Sequence, residues 1–230
     1  MATWSIAPLH IEDLDEFVQC QFLAFVGNPL HDVVYPTQPA SAEKHRKAIN
    51  EGSKLQADNE IIYLKAVDIR SGNIVGGIKC CYYVGEDVLT SSPYAAGITD
   101  VEAKATDNDQ YCCYVVNEFL GKRASDIKGQ HARKFIAKDR KHGWIIDILF
   151  VHPEYSRRGI GRELVARTCS MADRRGLKAI VEASPAGKRT YELCGYQSKE
   201  VVTIPPKQWT DKPVQLYYWM EREPLRQVRR

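Results

Sequence analysis

The stretch "WIIDILFVHPEYSRRGIGRELV", residues 144–165, changes its periodicity halfway along. Its first eight residues form an apolar run of strand length, interrupted by Asp147. Its end opens a helix in which Ile160, Leu164, Val165, Cys169 and Ala172 make one apolar stripe, closed by Gly176. Between the two, Gly159 and Gly161 stand among Arg157, Arg158 and Arg162. A glycine-rich turn that leads into a helix exposes backbone N–H groups no earlier turn has satisfied. With the helix dipole they form an anion site. Glycine, lacking Cβ, lets the main chain approach a phosphate closely, and the arginines add charge-assisted contacts. The predicted ligand is a phosphorylated cofactor, most directly a pyrophosphate.

Other phosphate and catalytic signatures do not fit. A Walker turn ends in Gly-Lys-Ser/Thr, whereas this one has Gly-Arg-Glu. A dinucleotide fingerprint needs a third glycine where Leu164 stands. The chain has no Gly-x-Ser-x-Gly, no His-Glu-x-x-His and no Cys-x-x-Cys.

Downstream, "LKAIVEAS" (177–184) reads as a strand and "AGKRTYELCG" (186–195) as a short helix. "YQSKEVVTI" and "VQLYYWMER" follow as two final strands. Strand, helix and strand make a βαβ unit, hence a parallel pair with a right-handed crossover. Upstream, "TWSIAPL" is a short strand, and "IEDLDEFVQCQFLAF" places Ile11, Leu14, Phe17, Val18, Phe22 and Phe25 at helical spacing until Asn28-Pro29. "SAEKHRKAINEG" (41–52) predicts a helix capped by Ser41 and stopped at Gly52. "EIIYLKAVDIRSGNIVGGIKCCYYVG" predicts a hairpin joined by "RSGN", with Gly76 and Gly77 marking a bulge or a close approach. Residues 86–142 are helix-compatible but interrupted by Gly121 and Gly129, and they separate the hairpin from the next strand. One mixed α/β domain over 1–230, with a helical insertion at about 86–142 between the third and fourth strands, is expected.

The totals agree with a globular chain. The 230 residues suffice for a sizeable core, and 44% hydrophobic with 27% charged residues is near the soluble average. A net charge of +3 does not point to nucleic acid or membrane, although "LRQVRR" ends the chain on a basic cluster. No apolar run approaches the roughly eighteen residues of a membrane span, and the N-terminus lacks a secretory pattern. Seven cysteines include the adjacent pairs Cys80-Cys81 and Cys112-Cys113, which point to opposite faces in a strand. Free thiols in a reducing cytoplasm, with no metal, are expected.

"DILFVHPEYSRRGIGRELV" strongly resembles the acetyl-CoA-binding motif of the GNAT acetyltransferase superfamily, Gln/Arg-x-x-Gly-x-Gly/Ala after a Val-x-Pro strand end. "IVEASPAGKRTYELCGYQ" is similar to the strand, helix and Tyr-x-x-x-Gly-Phe/Tyr segment that closes the family's core. The wording "EASPAG…YELCGY" looks most like fungal members that act on small molecules. The resemblance is specific over 144–197, follows element order over 3–84 and 198–221, and is absent over roughly 86–142. It implies a GNAT-like acyl-CoA N-acyltransferase fold: a mixed, mainly antiparallel sheet with a central splayed parallel strand pair and helices on both faces.

The resemblance also implies roles. The backbone of Leu149, Phe150 and Val151 would pair with the pantetheine arm, and one of those amides would hold the acetyl oxygen. Backbone N–H groups of Arg157, Arg158, Gly159, Ile160, Gly161 and Arg162 would take the pyrophosphate. Tyr191 falls where many members have the tyrosine that protonates the leaving thiolate. Ser156 departs from the pattern's Gln or Arg, which implies weakened cofactor binding, although a serine can hold the turn by a local hydrogen bond. No base carries over. Asp147 and Glu182 are acids on the two splayed strands, Glu118 lies in the unmatched segment, and a water relay is the alternative. His152 reads as an exposed turn residue, and Trp209 and Trp219 as core. Tyr82 or Tyr83 could shape an acceptor pocket.

The implied activity is acetyl-CoA-dependent N-acetylation of a small-molecule primary amine, by direct attack in a ternary complex, in a monomer or homodimer. Two alternatives stand beside it: acetylation of a protein lysine or N-terminus, and an inactive module that only binds acyl-CoA.

Overall fold

Two stretches of periodicity and one tight hairpin account for most of the architecture. The computed structural model describes residues 3–28, 46, 61–83, 143–204 and 215–225. Strand β1 (Trp4–Pro8) leads through a 3₁₀ turn (Ile11–Asp13) into helix α1 (Leu14–Ala24). Helix α1 buries Leu14, Phe17, Val18, Cys20, Gln21 and Phe22. Ile11, expected on that stripe, is 58% exposed, because it sits in the tighter turn before the helix and points off its apolar face.

Strands β2 (Ile61–Asp68) and β3 (Ile74–Tyr83) form the predicted hairpin. The Asp68 carboxylate accepts from the amides of Arg70 (2.7 Å) and Ser71 (3.1 Å), and Gly72 adopts φ +77°. After β4 (Gly143–Val151) come a 3₁₀ turn (Pro153–Tyr155) and helix α2 (Ile160–Arg175). The stripe read from the sequence is buried in α2, with Thr168 added; its hydroxyl donates to the Val165 carbonyl at 2.9 Å. Gly176 at φ +65° ends the helix with its N–H on the Asp173 carbonyl, a geometry that only glycine adopts without strain. Strand β5 (Lys178–Ala183), helix α3 (Pro185–Glu192), β6 (Gln197–Ile204) and β7 (Gln215–Arg222) complete the order.

Among the described residues seven strands make one sheet, in the order β1-β2-β3-β4-β5-β7-β6. Every pair is antiparallel except β4–β5, which is parallel. This is the mixed, mainly antiparallel sheet with one parallel pair that the resemblance implies, and helices pack on both of its faces. Gly76 and Gly77 mark where both helices press on β3. A Cβ at Gly76 would stand 2.9 Å from the Phe150 carbonyl oxygen and 3.2 Å from Ile160 of α2. A Cβ at Gly77, pointing to the other face, would overlap the Phe17 ring of α1 and lie 2.5 Å from Phe150 Cζ. The sequence predicted a bulge or a close approach, and both occur: Val75 is an extra residue opposite the Ala66–Val67 step. Gly77→Ala is expected to lower stability by about 1–3 kcal/mol through overpacking, seen as a lower urea midpoint at unchanged m value.

The α2/α3 face carries the larger core, including Leu64, Ile78, Trp144, Ile146, Leu164, Val181 and Tyr191. The α1 face packs Phe17, Tyr63 and Phe150, and Trp219 closes a smaller cluster with Ile145 and Ile180, as a core tryptophan should. Of the helix expected at 41–52 only Arg46 is described, and it is helical. The insertion at 86–142 with Glu118, Trp209, the side chains of Tyr82 and Tyr83, and the basic end at 226–230 lie outside the described residues. Among the described residues no helix is long and apolar enough to cross a membrane.

Candidate functional site

The parallel pair is short. β4 and β5 pair from Gly143–Lys178 to Ile146–Val181; β4 then runs on to Val151, while Glu182 and Ala183 stay paired with β7. The divergence has a local cause in the ladder between β3 and β4. Lys79 faces Ile148 and Cys80 faces Ile146, so Asp147 is an extra residue in β4. A bulge bends its strand and increases the twist, here turning β4 away from β5. The His152 amide donates to the Val75 carbonyl at 2.9 Å. Amide direction alternates along a strand, so Val151 and Leu149 direct theirs to the opposite edge, into the gap. Phe150 directs its backbone to β3 and its ring to Phe17, at 4.9 Å between centroids.

The gap ends at the glycine-arginine turn. His152 Nδ1 accepts from the Glu154 amide at 3.3 Å, which makes this half-buried residue a cap rather than the exposed side chain expected. Ser156 Oγ donates to the His152 carbonyl at 3.5 Å, the local bond anticipated for a serine there. Arg157 then adopts φ +63°, and Gly159 φ +96°. A positive φ in arginine is uncommon and costs about 1 kcal/mol or more, so the loop around it fixes this conformation. Gly159 caps α2 without any side-chain hydrogen bond, and the first return bond is Glu163 N–H to the Gly159 carbonyl, 3.0 Å. The amides of Ile160, Gly161 and Arg162 therefore face outward without a side-chain cap, the geometry that holds phosphate.

The three arginines are not equivalent. Arg158 donates to the Glu154 carbonyl at 2.8 Å and lies 4.8 Å over the Tyr155 ring, so its guanidinium braces the loop. Its backbone stays in the turn. Arg157 and Arg162 are exposed at the mouth.

Asp147 and Glu182 are the first residues after the last paired rank, one on each strand. The two predicted acids thus stand at corresponding positions on the two strands. Asp147 is in an ion pair with buried Lys79 at 3.0 Å, and Glu182 stands opposite Trp219. Tyr191 is 5% exposed and belongs to the same core cluster as Ile146 and Val181. Its ring meets Tyr196 edge-on at 5.6 Å, and a Cβ at Gly187 would stand 3.3 Å from it. The Ser184 hydroxyl accepts the Gly187 amide at 3.2 Å, fixing the first turn of α3 against that ring. Burial pushes the Tyr191 phenol well above its ordinary value, with smaller contributions from Cys80, Cys194 and Cys169. Burial likewise pushes the Cys20 thiol to about 12 and Cys169 to about 11, so both are protonated at neutral pH and make poor nucleophiles. Cys20, Cys80, Cys169 and Cys194 are in no disulfide. Among the described residues no group of three or more His, Cys, Asp or Glu gathers as metal ligands would.

Lys79 and Trp4 were missed from the sequence. A lone lysine inside "GGIKCC" was a usable signal for the first, since an ammonium between apolar neighbours needs a partner. Trp4 had none.

The family described as "Acetyltransferase (GNAT) domain" matches residues 109–198, and so reaches into a segment where the sequence reading found no resemblance. Comparison with curated proteins gives no match. Among solved structures, arylalkylamine N-acetyltransferase 2 from Aedes aegypti is similar at 15% identity and TM-score 0.63, covering 96% of this chain and 99% of that one. An agmatine N-acetyltransferase variant in apo form is similar at 12% identity and TM-score 0.63, covering 96% of this chain and 100% of that one. A phosphinothricin acetyltransferase from Sinorhizobium meliloti, in complex with AcCoA, is similar at 12% identity and TM-score 0.58, covering 100% and 93%.

Proposed function

We propose that this chain, of which residues 109–198 match the GNAT acetyltransferase domain, is an acetyl-CoA-dependent N-acetyltransferase that acetylates a primary amine of a small molecule, by direct attack in a ternary complex. The observation that carries the reading is the continuity of the opened β4 edge with the uncapped N-terminus of α2. A diphosphate fits the turn, and an extended amide-bearing arm fits beside Leu149 and Val151. The amide of one of these residues supports the acetyl oxygen as charge develops on it.

The amine nitrogen forms a bond to the thioester carbonyl carbon, the carbon–sulfur bond breaks, the amine loses a proton and the thiolate gains one. Tyr191 supplies the proton to sulfur. Asp147 and Glu182, at the mouth of the junction, receive the acceptor's cationic end and the proton it sheds. Buried thiols give no support to an acyl-cysteine route. The solved neighbours named for agmatine and arylalkylamines favour a small amine over a protein acceptor. Free cysteines suit a reducing, cytoplasmic setting.

Isothermal titration with acetyl-CoA tests the cofactor half. Gly159→Ala forces a left-handed alanine at the cap, a strain of about 1–2 kcal/mol. It is expected to weaken acetyl-CoA roughly fivefold to thirtyfold, because the strain displaces the phosphate amides. Unchanged affinity would remove the turn from cofactor binding.

A further inference from the structure

The first two strands hold the turn from both sides. Trp4 of β1 and Asp68 of β2 are directly paired in the sheet. Asp68 reaches forward to the Tyr155 hydroxyl, before the glycine-arginine turn; its carboxylate pushes the Tyr155 phenol up through that hydrogen bond. Trp4 reaches the other side. Its indole N–H donates to Glu163 Oε2 at 2.7 Å, and its ring comes within 3.8 Å of where a Cβ at Gly159 would sit.

Glu163 is the one acidic residue in the first turn of α2. Helical side chains tilt toward the N-terminus, and a carboxylate four residues beyond the cap lies on the same face as the cap. The dipole and the uncapped amides that attract a phosphate attract this carboxylate too. Left free, it would be a tethered competitor for the site.

We propose that Trp4 is a positioning residue for the diphosphate turn: its indole N–H holds the Glu163 carboxylate on the β1 side and keeps the first-turn amides of α2 open to the cofactor's phosphates. The proposal rests on the cofactor reading above. Neither residue touches the reacting atoms.

The test is the affinity for coenzyme A itself, by isothermal titration at low and moderate ionic strength. The proteins are wild type, Trp4→Phe, Glu163→Gln and the double variant. Trp4→Phe keeps a ring and loses the donor. Its affinity should fall about three- to tenfold, the range for one charge at a helix N-terminus, and fall further at low salt. The double variant should return to within about twofold of wild type, a rescue that a packing role alone would not give. Unchanged affinity in Trp4→Phe overturns the proposal, and so does a loss that persists in the double variant. Should Trp4→Phe not fold, Glu163→Gln decides: affinity within about twofold of wild type agrees, and a larger loss makes Glu163 a binding group and overturns it. Wild type that fails to bind coenzyme A overturns the cofactor reading with it, which no comparison among variants can mimic.

Discussion

Tyr191→Phe is expected to slow acetyl transfer by about one to two orders of magnitude while leaving acetyl-CoA affinity near wild type. The phenol sits at 5% exposure beneath the strand junction, and the substitution keeps the ring that packs on Tyr196 and Gly187. Stability should therefore change little, and the loss should appear in kcat. A phenol pushed up by burial is a weak acid. The same burial raises the thiols around it, Cys169 to about 11. A thiolate expelled into that environment is more basic than in water, which restores the match between acid and leaving group. The sign of the shift also fixes the pH dependence. For the proposed role Tyr191 must be protonated, and its folded value lies above the ordinary phenol value of about 10. Its ionisation therefore contributes no alkaline loss of rate below about pH 10. Unchanged turnover in Tyr191→Phe would remove it from the mechanism.

The second large effect is on the fold. Arg222, 6% exposed near the end of β7, makes paired bonds to Asp173 of α2 at 2.7 and 2.8 Å, and a third to the Cys194 carbonyl at 3.0 Å. The Leu225 amide adds a bond to Asp173 at 2.8 Å. One guanidinium thus ties α2, the turn after α3 and the end of β7. Arg222→Met keeps the apolar stem but leaves a half-buried carboxylate without its counter-charge, at a cost of about 3 kcal/mol or more. In thermal unfolding this is a fall of roughly 6–12 °C for a chain of this size. Burial alone would raise the Asp173 carboxyl, but hydrogen bonds from Arg222 and Leu225 outweigh it and hold the group below the usual range. A lowered folded value stabilises above the unfolded value and loses that contribution as pH falls through the folded one. Wild type and Arg222→Met should therefore differ most at neutral pH and converge below about pH 4. A difference that persists at acid pH would mean that the pair contributes through packing rather than charge.

Much of this was legible because it is local. The strand, turn and helix from 143 to 175 announce themselves in one window through Gly159, the stripe from Ile160 to Ala172 and the stop at Gly176. Gly76 and Gly77 announced a close approach, though not that two helices make it from opposite faces. The bulge at Asp147 was not legible, since it is a property of register between β3 and β4, and no residue type marks it. For the same reason the candidate acids could be named but not placed. Only the fold shows that Asp147 and Glu182 follow the last paired rank, and that Lys79 already engages one of them. The arginine cluster marks the turn but not what each side chain does there: Tyr155 and the Glu154 carbonyl hold that of Arg158. Acceptor identity depends on side chains that converge from elements far apart in the chain, which spacing within one window does not encode.

The most direct measurement is mass-spectrometric detection of coenzyme A release from acetyl-CoA across polyamines, amino acids, amino sugars, arylamines and lysine peptides. Mass detection avoids thiol dyes, which the seven cysteines could consume. Release that depends on a small amine, with a product heavier by one acetyl group, is the expected result. Bound acetyl-CoA with no release on any acceptor would contradict it, and release on lysine peptides alone would contradict the small-molecule acceptor.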